Sequence, residues 1–544
     1  MNQSVPSRWT LAESGDRILR FDGVPALLLG GQVHNSSSSS AAAIAQSFAH
    51  ARRLNANVVL APVAWTLTEP TEGVLDFRLV DCMLDEARRN GLRLVPLWFG
   101  AFKNALSTYA PRWVRADRER FPRTLIDAGA STAAFSYEGA MPATVLSVFS
   151  ADLVEADARA FEGLLRHLVE ADKDDTVALV QVENESGVLR DSRDRSEIAE
   201  EAREGMVPSS LIDLARTVGD ESLVRQLWIE NGRKEIGTWS DTFGDDSRSD
   251  EIFMAWGFAT YVQRLAERGQ AVKNVPMFAN AWLGPQPGQS EPGQWPSGGP
   301  GERVLDVWRA VAPSLAFLGP DIYVDDSAAA MAAYSTGLDP FFVPESRPRA
   351  GELVRALGTH RAIGWSAFGL DALNPEGQVA ATLAYLTALE GEIASAQIAD
   401  RVAAVVIEAD EEVVKIGFGD LEIHARGMLK LFQQMLLDVG VDAPTLDVDV
   451  PNETIPHEPV TQPGERRPFG LVVATDENEL IVIGQGLKLD FFVEGTLVEV
   501  DSVEELVIQD GEVIDGRVLN GDERLTVLPT HRVGAARIRL LRVQ

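Results

Sequence analysis

Eight short apolar runs, spread over the first 370 residues and each followed by Gly, Asn, Pro or an acid, constrain this chain more than any other feature. They are ALLLGGQ (26–32), NVVLAP (57–62), LRLVPLW (92–98), VALVQVENE (177–185), VPMFANAW (275–282), LAFLGPDIY (315–323), FFVPE (341–345) and IGWSAFG (363–369). Between most of them lie helical patterns, such as RLVDCMLDEARRN (78–90) closed by Gly91. A longer one, from about residue 152 to 172, carries Phe161, Leu164, Leu165 and Leu168 on one face. Runs apolar on both faces that alternate with helices imply a parallel sheet covered by helices. Eight repeats imply an α/β fold of the closed (β/α)8 TIM-barrel kind rather than an open sheet.

After residue 400 the pattern becomes strands alone: GLVVAT, ELIVIG, LKLDFF, TLVEVD, ELVIQDGEVIDGRVL and ARIRLLRV, with Asp510-Gly511 as a two-residue hairpin turn. One helix near 427–438 and a Pro-rich connector over about 444–468 interrupt them. The expected division is a catalytic barrel over 1–400 and an all-β, sandwich-like domain over 401–544. Two long segments leave the C-terminal ends of expected strands, from Ser186 to about Asp250 with Trp228 and Trp239, and GPQPGQSEPGQWPSGGPGE (284–302). In a barrel they would wall the mouth.

Lys plus Arg number 49 against 81 Asp plus Glu, a net charge of −32, which disfavours a nucleic-acid backbone or an anionic membrane as partner. No Walker-type phosphate loop occurs. No basic segment leads into an apolar one at the start, and no run of 18 apolar residues occurs, so the expected location is the cytoplasm. The single cysteine, Cys82, fits a reducing compartment. Seven histidines without HxH or HExxH spacing give no reason to expect a metal, and no cofactor is expected.

The fourth run begins as a core strand and ends on Glu183, Asn184 and Glu185. In a barrel the end of each strand points into the mouth, so the apolar half fills the interior and the polar tail lines a pocket. The seventh run ends on Glu345, which a closed barrel can aim at Glu185. Two acids facing one bond are what glycoside hydrolysis needs, one protonated for the leaving oxygen and one ionised to attack the anomeric carbon. Arg347 or Arg349 could keep Glu345 ionised. A regular strand would put Glu183 and Glu185 on one side and Asn184 on the other.

These residues resemble those of clan A retaining glycoside hydrolases. QVENESG resembles the Q-[VI]-E-N-E-x-G motif of glycoside hydrolase family 35, the β-galactosidases. LLLGGQVHNSSSSS (27–40), NANVVLAPVAWTLTEPTEGVLDF (55–77), LVPLWFGAFKNALSTYAPRWV (94–114) and FFVPESR (341–347) are similar to its bacterial branch with a DUF5597-type C-terminal domain. The resemblance implies Glu185 as acid/base, Glu345 as nucleophile and Asn184 as partner of the sugar 2-hydroxyl, with Glu183 a supporting or binding carboxylate. One departure concerns the sugar rather than the mechanism: PESRPR stands where better-known eukaryotic members have an aromatic-rich sequence.

His34 after the first strand, and Lys103 and Asn104 after the third, could hydrogen-bond sugar hydroxyls. Trp98, Trp282, Tyr323 and Trp365 fall at or beyond expected strand ends, where an aromatic face can stack on a pyranose. One hydroxyl of the serine run 36–40 is expected to cap the helix over 41–54. The expected activity is a retaining exo-β-glycosidase that releases terminal galactose from an oligosaccharide or small glycoside. The alternatives are a β-glucoside or α-L-arabinopyranoside substrate, or a catalytically silent carbohydrate-binding protein. The sequence leaves homo-oligomer formation open.

Overall fold

The computed structural model describes residues 4–11, 17–103, 109–126, 145–337, 339–408, 411–441 and 467–542. Each of the eight apolar runs forms a strand. They are β1 (Leu28–Gln32), β2 (Val58–Ala64), β3 (Arg93–Lys103), β4 (Val180–Asn184), β5 (Met277–Trp282), β6 (Phe317–Ile322), β7 (Phe342–Val343), β8 (Glu345–Ser346) and β9 (Gly364–Phe368). The ninth strand arises because Pro344 splits the seventh run. Proline has no N–H to give a ladder, so the run makes two short strands instead of one.

The order in the sheet is β7-β9-β1-β2-β3-β4-β5-β6-β8. Its two outermost strands are the halves of the run that Pro344 divides, so the parallel sheet curls into a nearly closed barrel with flanking helices. The strands are mostly apolar because both faces are covered, and every residue of β2 is buried.

The helices follow their sequence signals. α1 (Ala41–Arg53) has its Ala43 N–H donated to Ser40 Oγ at 3.3 Å. α2 (Arg78–Asn90) ends at Gly91, whose φ of 65° closes the last turn in a left-handed conformation. α3 (Ala151–Ala171) is capped by Ser150 Oγ, which accepts from Leu153 N–H. Its Phe161, Leu164, Leu165 and Leu168 are fully buried, each contributing roughly 1.5–3 kcal/mol. The segment 186–250, expected as a loop, is instead a helical insertion. It holds four short helices before α4 (Ser247–Gln270), and Trp239 packs against Phe243, Phe253 and Trp256.

Helix α5 (Ala350–Gly358) lies between β8 and β9, and after β9 the helix α6 (Gln378–Ala388) precedes two antiparallel sheets. A six-stranded one begins at Val402–Val406 and a four-stranded one at Val414–Phe418. Side chains of both, including Val405, Ile423, Val482 and Phe491, form one hydrophobic core. Asp510 (φ 54°) and Gly511 (φ 85°) make the expected hairpin turn, with Gln509 opposite Glu512. The chain divides into two compact units, one of Met1–Leu11, Val33–Gln46 and Leu60–Asp339, the other of Ala12–Gln32, Ser47–Val59 and Pro340–Gln544. No helix among the described residues is long and apolar enough to cross a membrane.

Candidate active site

In the first unit, the end of β4 departs from regular strand. Glu183 (φ 60°) and Glu185 (φ 48°) both take left-handed backbone conformations, which cost a residue with a Cβ about 1–3 kcal/mol each and persist only when neighbours enforce them. Two side-chain amides do so here. Gln181 donates its Nε2–H to the Glu183 carbonyl at 3.0 Å, and Glu185 N–H donates to Asn280 Oδ1 at 2.9 Å. Asn280 in turn donates from Nδ2 to Asp321 Oδ2 at 2.7 Å, which ties β4, β5 and β6 together.

The irregular end sends the two glutamates different ways. Glu183 is buried, and its carboxyl lies on the backbone of β3, accepting from Phe102 N–H at 2.7 Å and Ala101 N–H at 3.3 Å. It is hydrogen-bonded to Asp157, a carboxylate that also accepts from Trp98 Nε1–H, Tyr261 O–H and Ala101 N–H. Burial and the adjacent Asp157 push Glu183 well above the usual carboxyl range. Burial raises Asp157 as well, against the pull of its donors. Two buried carboxyls joined by a hydrogen bond need one proton between them.

Glu185 has a different partner. Its Oε2 lies 3.5 Å from Lys103 Nζ, both side chains at most a tenth exposed, and the ammonium sits over the Phe99 ring. Between the two glutamates, both polar atoms of the Asn184 amide are buried with no hydrogen-bond partner among the described residues. Buried amides are bonded almost without exception, so an unmet pair here is unusual.

In the second unit Glu345 forms β8 and is buried. The following Ser346 donates its hydroxyl to the Ser366 carbonyl of β9 at 3.1 Å. Arg349 pairs with Glu352 at 3.3 Å. Gln32 at the end of β1 is fully buried, and neither polar atom of its side chain has a partner among the described residues; the same holds for Trp365 Nε1 and Ser366 Oγ.

The aromatic residues separate into two groups. Trp98 lies within β3, which runs five residues beyond the expected end, and is fully buried against Phe161. Trp365 is also fully buried, as the second residue of β9. Trp282 ends β5 and Tyr323 follows β6, both partly exposed, as is His34 just beyond β1. Asn104 lies outside the described residues. Sequence reasoning passed over Gln32, Gln181, Asn280 and Asp321, yet each carries the signal that singled out Glu185, a polar side chain near the end of an apolar barrel run.

A polar cavity of about 730 Å³ lies in the helical insertion, lined by Arg193, Arg195, Arg203, Glu200 and Asp250 among others. Its arginines are engaged with acids: Arg193 and Arg203 with Asp250, Arg195 with Asp191. No group of three or more His, Cys, Asp or Glu among the described residues is arranged to hold a metal ion.

Residues 379–528 match a family model described as a domain of unknown function, DUF5597. No curated protein matches the chain. Among solved structures it aligns with the β-galactosidase of the psychrophilic Marinomonas ef1 at 14% identity and a TM-score of 0.40, over 63% of this chain and 54% of that one. It also aligns with the β-galactosidase of the Antarctic haloarchaeon Halorubrum lacusprofundi at 15% identity and a TM-score of 0.38, over 63% and 52%. A third is the cold-adapted β-galactosidase of Rahnella sp. R3, at 15% identity and 0.39, over 63% and 50%. The chain spans about half the length of these proteins.

Proposed function

We propose that the protein is a retaining exo-β-glycosidase whose acid/base is Glu185 and whose nucleophile is Glu345, with a terminal β-galactoside as its first substrate class. The carrying observation is the end of β4, where a strained Glu185 stands beside an Asn184 amide whose hydrogen bonds are unmet by any described residue. A second carboxylate, Glu345, occurs at the end of the seventh apolar run. The resemblance of QVENESG and FFVPESR to family 35 motifs supports the same roles and supplies galactose as the sugar.

In this reading Glu345 attacks the anomeric carbon and forms a glycosyl-enzyme while Glu185 protonates the departing oxygen. Glu185 then takes a proton from the incoming water, which releases the sugar with its configuration retained. The chemistry requires the two carboxyls to stand roughly 5–5.5 Å apart. Asn184 would bond the sugar 2-hydroxyl, and Trp282 or Tyr323, partly exposed beside it in sequence order of the strands, would supply an aromatic face.

A panel of nitrophenyl glycosides assigns the sugar and tests the roles together. Glu345→Gln is expected to abolish turnover. Glu185→Ala is expected to lose about 100-fold or more on poor leaving groups and far less on activated ones, which need no proton. An equal loss on all leaving groups would remove Glu185 from the acid role. Binding of a sugar with no hydrolysis of any member of the panel would replace the enzyme with a carbohydrate-binding protein.

A further inference from the structure

Strand β3 does not run evenly beside β4. Leu97 and Trp98 face Gln181 and Val182, but the next aligned pair is Lys103 with Asn184, so β3 uses five steps where β4 uses two. The surplus residues form a bulge, which re-aims a strand at the cost of its ladder bonds. The ladder donors it frees, Ala101 N–H and Phe102 N–H, are taken up by the carboxyls of Asp157 and Glu183. Gly100 lies inside this knot. A Cβ there would stand 2.4 Å from Glu183 Oε1, 2.5 Å from Trp98 Nε1 and 2.8 Å from Asp157 Oδ1.

We propose that Glu183, joined to Asp157, is a positioning residue: it clamps the β3 bulge and so delivers the Lys103 ammonium to the Glu185 carboxyl. The inference rests on the reading of Glu185 as acid/base and deepens it. Glu183 itself touches no substrate in this account. In this proposal the proton shared with Asp157 sits on Glu183, so that its working form is the neutral acid, while Phe102 N–H donates to its Oε2. Asp157, with donors from Trp98, Tyr261 and Ala101, remains the anion.

A neutral acid that donates through one atom and accepts through the other is matched in shape and bonding by glutamine. The test therefore compares Glu183→Gln, Glu183→Ala and Lys103→Met in the full chain. Infrared difference spectra at neutral pH are expected to show a protonated-carboxyl band in the wild type that is missing from Glu183→Gln. On aryl β-galactosides with poor leaving groups, Glu183→Ala is expected to lose about 100-fold in kcat/KM, the effect of a misplaced catalytic group, and less on activated ones. Glu183→Gln should recover at least tenfold of that loss, roughly the share set by restored geometry. Lys103→Met should reproduce the leaving-group dependence without disturbing the acid pair.

Glutamine performing as poorly as alanine, or no protonated-carboxyl band to lose, would overturn the proposal. So would a Lys103→Met enzyme equally impaired on every leaving group. If Glu183→Ala does not fold, the other two variants and the infrared band still judge it. If the wild type hydrolyses none of the glycosides, the functional reading has failed, while the band alone decides whether Glu183 and Asp157 share a proton.

Discussion

Asn184 makes no side-chain hydrogen bond to any described residue, so its amide contributes little to holding the fold. Replacing it with alanine is expected to leave the melting temperature within about 2 °C of the wild type, as for a change worth under 0.5 kcal/mol. The same change should lower kcat/KM on an aryl β-galactoside by about 100-fold, the usual result of removing one donor that acts on the transition state. A loss of stability with unchanged kinetics would make Asn184 a structural residue. The pair Asn184-Glu185 could be picked out from sequence because an apolar run has no structural use for it. The separate direction of Glu183 could not. Period-two reasoning puts both glutamates on one side, and the left-handed backbone at 183 and 185, held by Gln181 and Asn280, cancels that rule. Sequence left Glu183 as a supporting or binding carboxylate; its carboxyl lies on the backbone of β3.

Among the elements, the strands were readable because burial on both faces leaves long aliphatic runs that few other structures require. What the runs conceal is local geometry. Pro344 divides the seventh, and β3 continues past Trp98 through a bulge that no apolar pattern announces. The helical insertion after β4 was read as loop because its helices are short and several of them are strongly charged. Gly100 gives the bulge a direct test. A methyl group there meets two carboxyl oxygens and an indole nitrogen, and since these are locked together by hydrogen bonds they cannot retreat independently. Gly100→Ala is expected to cost about 1–3 kcal/mol, the range for overpacking a tight interior, read from the urea midpoint at unchanged slope. Stability equal to the wild type would show that the bulge yields easily and exerts no clamp.

For the molecule as a whole, the second unit carries a titrating group at a seam. Helix α5 packs against the strands Val402–Val406 and Phe469–Ala474, so barrel elements and antiparallel sheet share one interior there. On this helix Glu352 is buried, its Oε1 3.3 Å from Arg349 and its Oε2 without a partner among the described residues. Burial outweighs the nearby arginines and lifts this carboxyl from its ordinary 4.5 to about 7. In the folded chain it then keeps a proton that the unfolded chain has already lost, so its contribution to stability falls as pH rises from about 4.5 to about 7 and is constant above. The net charge of −32 also changes over this range, but its repulsion acts on wild type and variant alike. The difference between them isolates Glu352. Glu352→Gln, which cannot ionise, is expected to match the wild type near pH 4.5 and to exceed it by on the order of 1–3 kcal/mol above pH 7, the range set by linkage. Urea unfolding at a series of pH values measures this directly. A difference that does not change with pH would mean that the carboxyl titrates alike in the folded and unfolded chains, the nearby arginines offsetting its burial.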